Sequence, residues 1–254
     1  MKTILDARFT SRQIPDVSIR YRKVGAGKKL LFLHGTWVDP FIFSELFTTL
    51  SKEYELLIPD IPPFGRSRLD SMLTLEQYAV LFDEMLESLG WDSVVVVGHS
   101  FGGGIALHLA AVSPKIRRVV VCNSIGLPFR RPEILGKYPK MVYRALRNLS
   151  KEHDSTILRR LLIDVGRVLL HNPIPPIVQT ITQCLCEEKI ILQKISAPVY
   201  IIWGKQDEIL PLSYIEKIQS LVPRVHVNYI TGHHNWCLVD QKRAGDLIRE
   251  SLDS

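Results

Sequence analysis

The chain has 254 residues, 46% of them hydrophobic and 23% charged, and its 32 Lys and Arg against 26 Asp and Glu give a formal net charge of +6. That balance excludes a disordered or fibrous chain and fits a globular protein with a buried core, while the length alone allows one large domain or two small ones. No run reaches the ~20 apolar residues that span a bilayer, and Met1 to Thr10 places Asp6 and Arg8 where a secretion signal needs its apolar stretch. A cytoplasmic protein without stable membrane insertion is therefore expected.

In chain order, Val17 to Val24 alternates apolar and polar residues, as an edge or antiparallel strand does. Short apolar, β-branched runs then recur at Leu30 to Leu33, Leu56 to Ile58, Val94 to Val97, Val119 to Cys122, Val199 to Trp203 and Val225 to Ile230. They read as strands buried on both faces. Between them, Leu75 to Leu89, Ile105 to Val112 and Leu212 to Leu221 repeat apolar residues at spacings of three and four, and Lys242 to Leu252 follows the last strand. These segments read as amphipathic helices. The alternation predicts an α/β fold, with a mostly parallel central sheet flanked by helices and built from right-handed crossovers.

The pattern fails between Pro128 and Ile190, where prolines punctuate helix-like stretches such as Met141 to Leu149 and Thr156 to Leu170. The expected organisation is a core of residues 1–127 and 191–254, with residues 128–190 inserted as a helical cap over the carboxyl ends of the strands. This insertion holds eleven Lys or Arg against six Asp or Glu, so most of the excess charge sits in it. A charge so confined, with no recognisable motif, argues against nucleic-acid binding. The four cysteines, Cys122, Cys184, Cys186 and Cys237, form no CxxC pair and are expected to be reduced, buried or half-buried thiols, with no metal site.

Chemistry concentrates where the Val94 to Val97 strand runs into Gly98-His99-Ser100-Phe101-Gly102 and then into a Gly-rich helix start. A serine on a very tight strand-to-helix turn needs small flanking residues, and its oxygen is then raised above the sheet beside a helix amino end that favours negative charge. From about Ser18 onward the chain resembles the α/β-hydrolase family. Leu31-Phe32-Leu33-His34-Gly35-Thr36-Trp37 is similar to the family's His-Gly loop, and Pro59 to Ser67 to its Pro-Asp-x-x-Gly-x-Gly-x-Ser loop, with Pro63 where Gly is usual. The resemblance implies an oxyanion hole formed by the N–H groups of Thr36 and Phe101.

A serine hydroxyl needs a base within reach and an acid behind that base. By the family's chain order, and by the similarity of Trp203-Gly204-Lys205-Gln206-Asp207 to its Trp-Gly-x-x-Asp pattern, the acid is Asp207, with Glu208 as fallback. Asn123, after the Val119 strand, cannot carry the charge. Two histidines compete for the base. His233 follows Gly as the family's base does, whereas the register of Leu238 to Gln241 favours His234, which is preferred. His34 and His99 read as structural members of their loops, and His226 as half-buried.

These residues predict two-step acyl transfer on a small ester-like molecule without a cofactor, the activity of a carboxylesterase. A lactonase or a carbon–carbon bond hydrolase would use the same triad, and a ligand-binding protein could keep the same fold. Trp37, Phe129, Tyr138 and Met141 are expected to contact substrate, with Ile134, Leu135, Tyr143 and Leu162 as further lining. Oligomeric state is not legible.

Overall fold

The computed structural model describes residues 5–69, 72–127, 140, 143–144, 147, 155–171, 174–186 and 191–253. Its strands are β1 (Leu5–Thr10), β2 (Val17–Val24), β3 (Lys28–Leu33), β4 (Tyr54–Pro59), β5 (Arg68–Leu69), β6 (Val94–His99), β7 (Ile116–Cys122), β8 (Val199–Gly204) and β9 (Val225–Ile230). The α-helices used below are α1 (Ser44–Leu50), α2 (Leu75–Ser88), α3 (Phe101–Val112), α4 (Ser155–His171), α5 (Ile174–Cys186), α6 (Ser213–Leu221), α7 (Trp236–Val239) and α8 (Gln241–Asp253).

The strands form one nine-stranded sheet in the order β1-β2-β4-β3-β6-β7-β8-β9, with β5 paired to β2. From β4 to β9 every pairing is parallel; the pairings of β2 with β1, β4 and β5 are antiparallel. Strand periodicity explains the layers. Leu31, Leu33 and Val96 face Phe82 of α2 and Ile105 of α3 in one core, and Leu30, Phe32 and Val97 face Phe47 of α1 and Ile248 of α8 in the other. Each such side chain contributes about 1.5–3 kcal/mol by leaving water, against the entropy of ordering the chain. Helix α2 starts where it does because Thr74 and Gln77 cap each other: the Gln77 N–H donates to Thr74 Oγ1 at 3.1 Å and the Thr74 N–H to Gln77 Oε1 at 2.9 Å.

Departures from the sequence expectation include β1, α5 and β9. Strand β1 extends the sheet through the alternation Leu5, Ala7, Phe9, in register with β2 from Leu5↔Lys23 to Thr10↔Ser18. Helix α5 begins Ile174-Pro175-Pro176, so these prolines start a helix rather than interrupt one, because the first turn needs no intrahelical N–H. Strand β9 is not buried on both faces. It pairs only with β8, and its His226, Asn228 and Tyr229 are exposed, so His226 is not half-buried either.

The chain passes from β3 to β4 on one side, then returns through α2 to β6 on the other. Strand order therefore reverses between β3 and β6, and a crevice opens at their carboxyl ends, where open α/β sheets bind ligands.

Candidate active site

Leu33 lies opposite Gly98 across β3 and β6, so the His34–Trp37 turn and the Ser100 turn leave the sheet side by side. Ser100 has φ 52° and ψ −114°, a conformation that costs a non-glycine residue on the order of 1–3 kcal/mol. The fold compensates. The Ser100 N–H donates to the Cys122 carbonyl at 3.0 Å, and the Ser100 carbonyl accepts from the Gly103 and Ile125 N–H groups at 3.1 Å each. The flanking glycines are steric requirements: a Cβ on Gly98 would sit 2.5 Å from the Gly102 carbonyl oxygen, and one on Gly102 would sit 2.2 Å from that of Leu33.

Loops after three different strands meet at this serine. Ser100 Oγ is 2.9 Å from His234 Nε2, and His234 Nδ1 is 2.8 Å from Asp207 Oδ2. An ionised carboxylate only accepts, so Nδ1 carries the proton and Nε2 is left to receive the one on Ser100. Burial pushes the Asp207 carboxyl up, but the His234 charge and hydrogen bonds from His234, Asn123 and the Leu210 N–H outweigh it and hold the group below its ordinary value. The Ile209 and Leu210 N–H groups donate to Asp207 Oδ1 at 2.8 and 3.0 Å. His233 points elsewhere, its Nδ1 2.9 Å from the Gln206 carbonyl.

Two residues set aside in the sequence reading belong to this constellation. Asn123, fully buried with φ 41°, donates from Nδ2 to Asp207 Oδ2 at 2.5 Å. Its Oδ1 accepts from the Gly204 N–H at 3.0 Å and from Trp236 Nε1 at 2.8 Å, so one side chain ties the loops after β7, β8 and β9 together. The signal that could have found it is a polar residue directly after a central parallel strand. His99, also buried, donates from Nε2 to the His234 carbonyl at 3.2 Å, while its Nδ1 has no partner among the described residues. Desolvation, with the neighbouring His234 charge, lowers its pKa to about 3, so it stays neutral. His34 likewise is held neutral, at about 4, mainly by burial, and its Nε2 accepts the Ile61 N–H at 2.8 Å.

A cavity of about 550 Å³ opens over Ser100 and His234. Thr36 and Phe101 line it, and neither of their N–H groups is engaged elsewhere among the described residues. Trp37 and Leu162 line it, together with Leu161, Val165 and Ile181 from α4 and α5. No Lys, Arg, Asp or Glu borders it among the described residues. Tyr143 is exposed and does not line the cavity; Phe129, Ile134, Leu135, Tyr138 and Met141 lie outside the described residues. Two arginines of the basic segment are engaged with the residue after the acid. Arg144 donates to the Glu208 carbonyl at 2.9 Å, and Arg147 pairs with the Glu208 carboxylate. Among the described residues no cluster of His, Cys, Asp or Glu could hold a metal ion, and no helix is long and apolar enough to cross a membrane.

Residues 30–244 match a family described as the alpha/beta hydrolase family. Among curated relatives, an uncharacterized hydrolase of Bacillus subtilis, YugF, is 28% identical over 269 residues, covering 96% of this chain and 95% of its own. A pimeloyl-[acyl-carrier protein] methyl ester esterase of Nitrosomonas europaea is 25% identical over 229 residues, covering 83% and 89%. Among solved structures, a thermophilic esterase from Thermogutta terrifontis superposes with TM-score 0.75 at 20% identity, covering 98% of each chain.

Proposed function

The chain belongs to the alpha/beta hydrolase family, and from that premise we propose that it is a serine carboxylesterase acting on neutral esters through an acyl-enzyme on Ser100. The single observation that carries this reading is the continuous relay from Ser100 Oγ through His234 to Asp207, 2.9 and 2.8 Å long. Ser100 Oγ attacks the ester carbonyl as His234 Nε2 takes its proton, and Asp207 stabilises the imidazolium. The charge that forms on the carbonyl oxygen faces the Thr36 N–H in the loop after β3 and the Phe101 N–H at the start of α3. Collapse expels the alkoxide, which receives the proton from His234. Water then repeats the sequence on the acyl-enzyme, releasing the acid and restoring Ser100.

The apolar lining supports a neutral acyl chain in preference to the acidic substrate of a carbon–carbon bond hydrolase, since a carboxylate in that cavity would be desolvated with no Lys or Arg beside it among the described residues. The helices α4 and α5, as parts of a cap over the strand ends, set the acyl selectivity in this reading. The test is turnover of a p-nitrophenyl ester series. Activity rises from acetyl towards longer chains, is insensitive to salt, and falls at least about a thousandfold in Ser100→Ala. Turnover retained in a clean Ser100→Ala preparation would eliminate the acyl-enzyme.

A further inference from the structure

Helix α4 buries Ile157, Leu161, Asp164 and Val168 on one side. At about 100° per residue, Leu162, Ile163, Leu169 and Leu170 fall on the arc away from that side, and they are exposed to solvent, Leu170 at 83% and Leu162 at 61%. On α5, Ile174 and Val178, one turn apart, are exposed as well. Leu162, Leu169, Ile174 and Val178 at the same time line the cavity over Ser100, so the exposed apolar face is the rim of the active-site mouth. A patch of this kind marks an interaction surface.

Charge indicates what meets it. Within α4 and α5 the cations are Arg159, Arg160 and Arg167, all exposed, and the one acid, Asp164, is buried. Arg159 lies within the apolar arc and Arg160 beside it. An apolar face with basic residues in and beside it has the composition of helices that lie in a bilayer interface. A second copy of this chain apposed through the same face would bring like charges together, whereas an anionic headgroup layer complements them.

We propose that the exposed face of α4 and α5 docks on an anionic membrane surface, with Leu162, Leu169, Leu170 and Ile174 seated among acyl chains and Arg159 and Arg160 at the phosphates, so that the mouth of the cavity opens onto lipid. The surface stands on its own geometry and does not require the esterase reading.

The experiment is co-sedimentation of the full chain with phosphatidylcholine vesicles, alone or mixed with phosphatidylglycerol. The mixed vesicles bring down most of the protein at low salt and progressively less as salt is raised, and the pure phosphatidylcholine vesicles bring down little. Leu170→Asp weakens the binding about tenfold and Arg159→Glu about fivefold. Both keep the parent's thermal midpoint and its turnover of a short soluble ester, because neither residue lines the cavity. Absence of binding to the mixed vesicles, equal binding to both kinds, or unchanged binding by Leu170→Asp would overturn the proposal. A dimer in sedimentation velocity that Leu170→Asp dissolves would overturn it in favour of a second copy. Vesicle binding with no ester turnover in the parent would instead sink the esterase reading and leave the docking surface standing.

Discussion

The turns at the carboxyl ends of β6 to β9 and the helices across the cavity from them solve different problems. Around Ser100, buried polar groups are tied by short hydrogen bonds into the sheet, and Asn123 alone joins three of its loops. Helices α4 and α5 offer the cavity leucine, isoleucine and valine and almost nothing polar. The contrast teaches where each property resides. Proton transfer needs atoms held to within a fraction of an ångström, which adjacent parallel strands supply; in the proposed esterase, choice among acyl chains needs only apolar area, which α4 and α5 supply.

The largest effect should appear in the turn after β9, on substituting its two adjacent histidines. His234→Ala is expected to lower ester turnover by about a thousandfold or more, whereas His233→Ala, whose ring bonds the Gln206 carbonyl and points away from Ser100, stays within about threefold. Comparable losses in both would blur the assignment.

Next in size is Asn123→Ala. It leaves the Gly204 N–H and Trp236 Nε1–H buried without their acceptor, at about 1–3 kcal/mol each, and lets the Asp207 loop shift. We expect kcat to fall about ten- to hundredfold with little change in KM. Loss of a donor also raises the Asp207 carboxyl towards its ordinary value. A fall in stability with kcat unchanged would reduce Asn123 to a structural brace.

The smallest effect lies on the α4 side. Asp164 accepts the Asp39 N–H at 3.1 Å, and burial, followed by the Asp39 charge, raises its carboxyl to about 6. In the unfolded chain the group returns to about 3.9. The folded state therefore binds the extra proton between those values, and this group's contribution to stability decreases as pH rises from about 4 to about 6. Asp164→Asn keeps an acceptor for the Asp39 N–H and removes the titration, so thermal midpoints across that window should flatten by a few degrees or less. An unchanged slope would place the titration elsewhere, Asp60 being the next candidate because burial raises it to about 6 as well.

How legible each region is in the sequence follows from the same contrast. Parallel strands buried on both faces announce themselves as continuous apolar runs, and the turns after them carry short motifs whose glycines have steric causes at Gly98 and Gly102. Asn123 escaped because its role depends on three loops converging; a polar residue directly after a central strand marks the position but not its partners. Exposed edges were misread for a related reason: β9 is apolar enough to look central but has one neighbour. Helix α5 was hidden by prolines that sit in its first turn, and α1, at seven residues, is too short to show a period.

Exposure of the folded protein to a fluorophosphonate, followed by peptide mass measurement, bears most directly on whether the Ser100 hydroxyl is an activated nucleophile. The expected result is one adduct, on the peptide containing Ser100, lost in Ser100→Ala and strongly slowed in His234→Ala. An unlabelled Ser100 in folded protein, or labelling at an undiminished rate in His234→Ala, would contradict it.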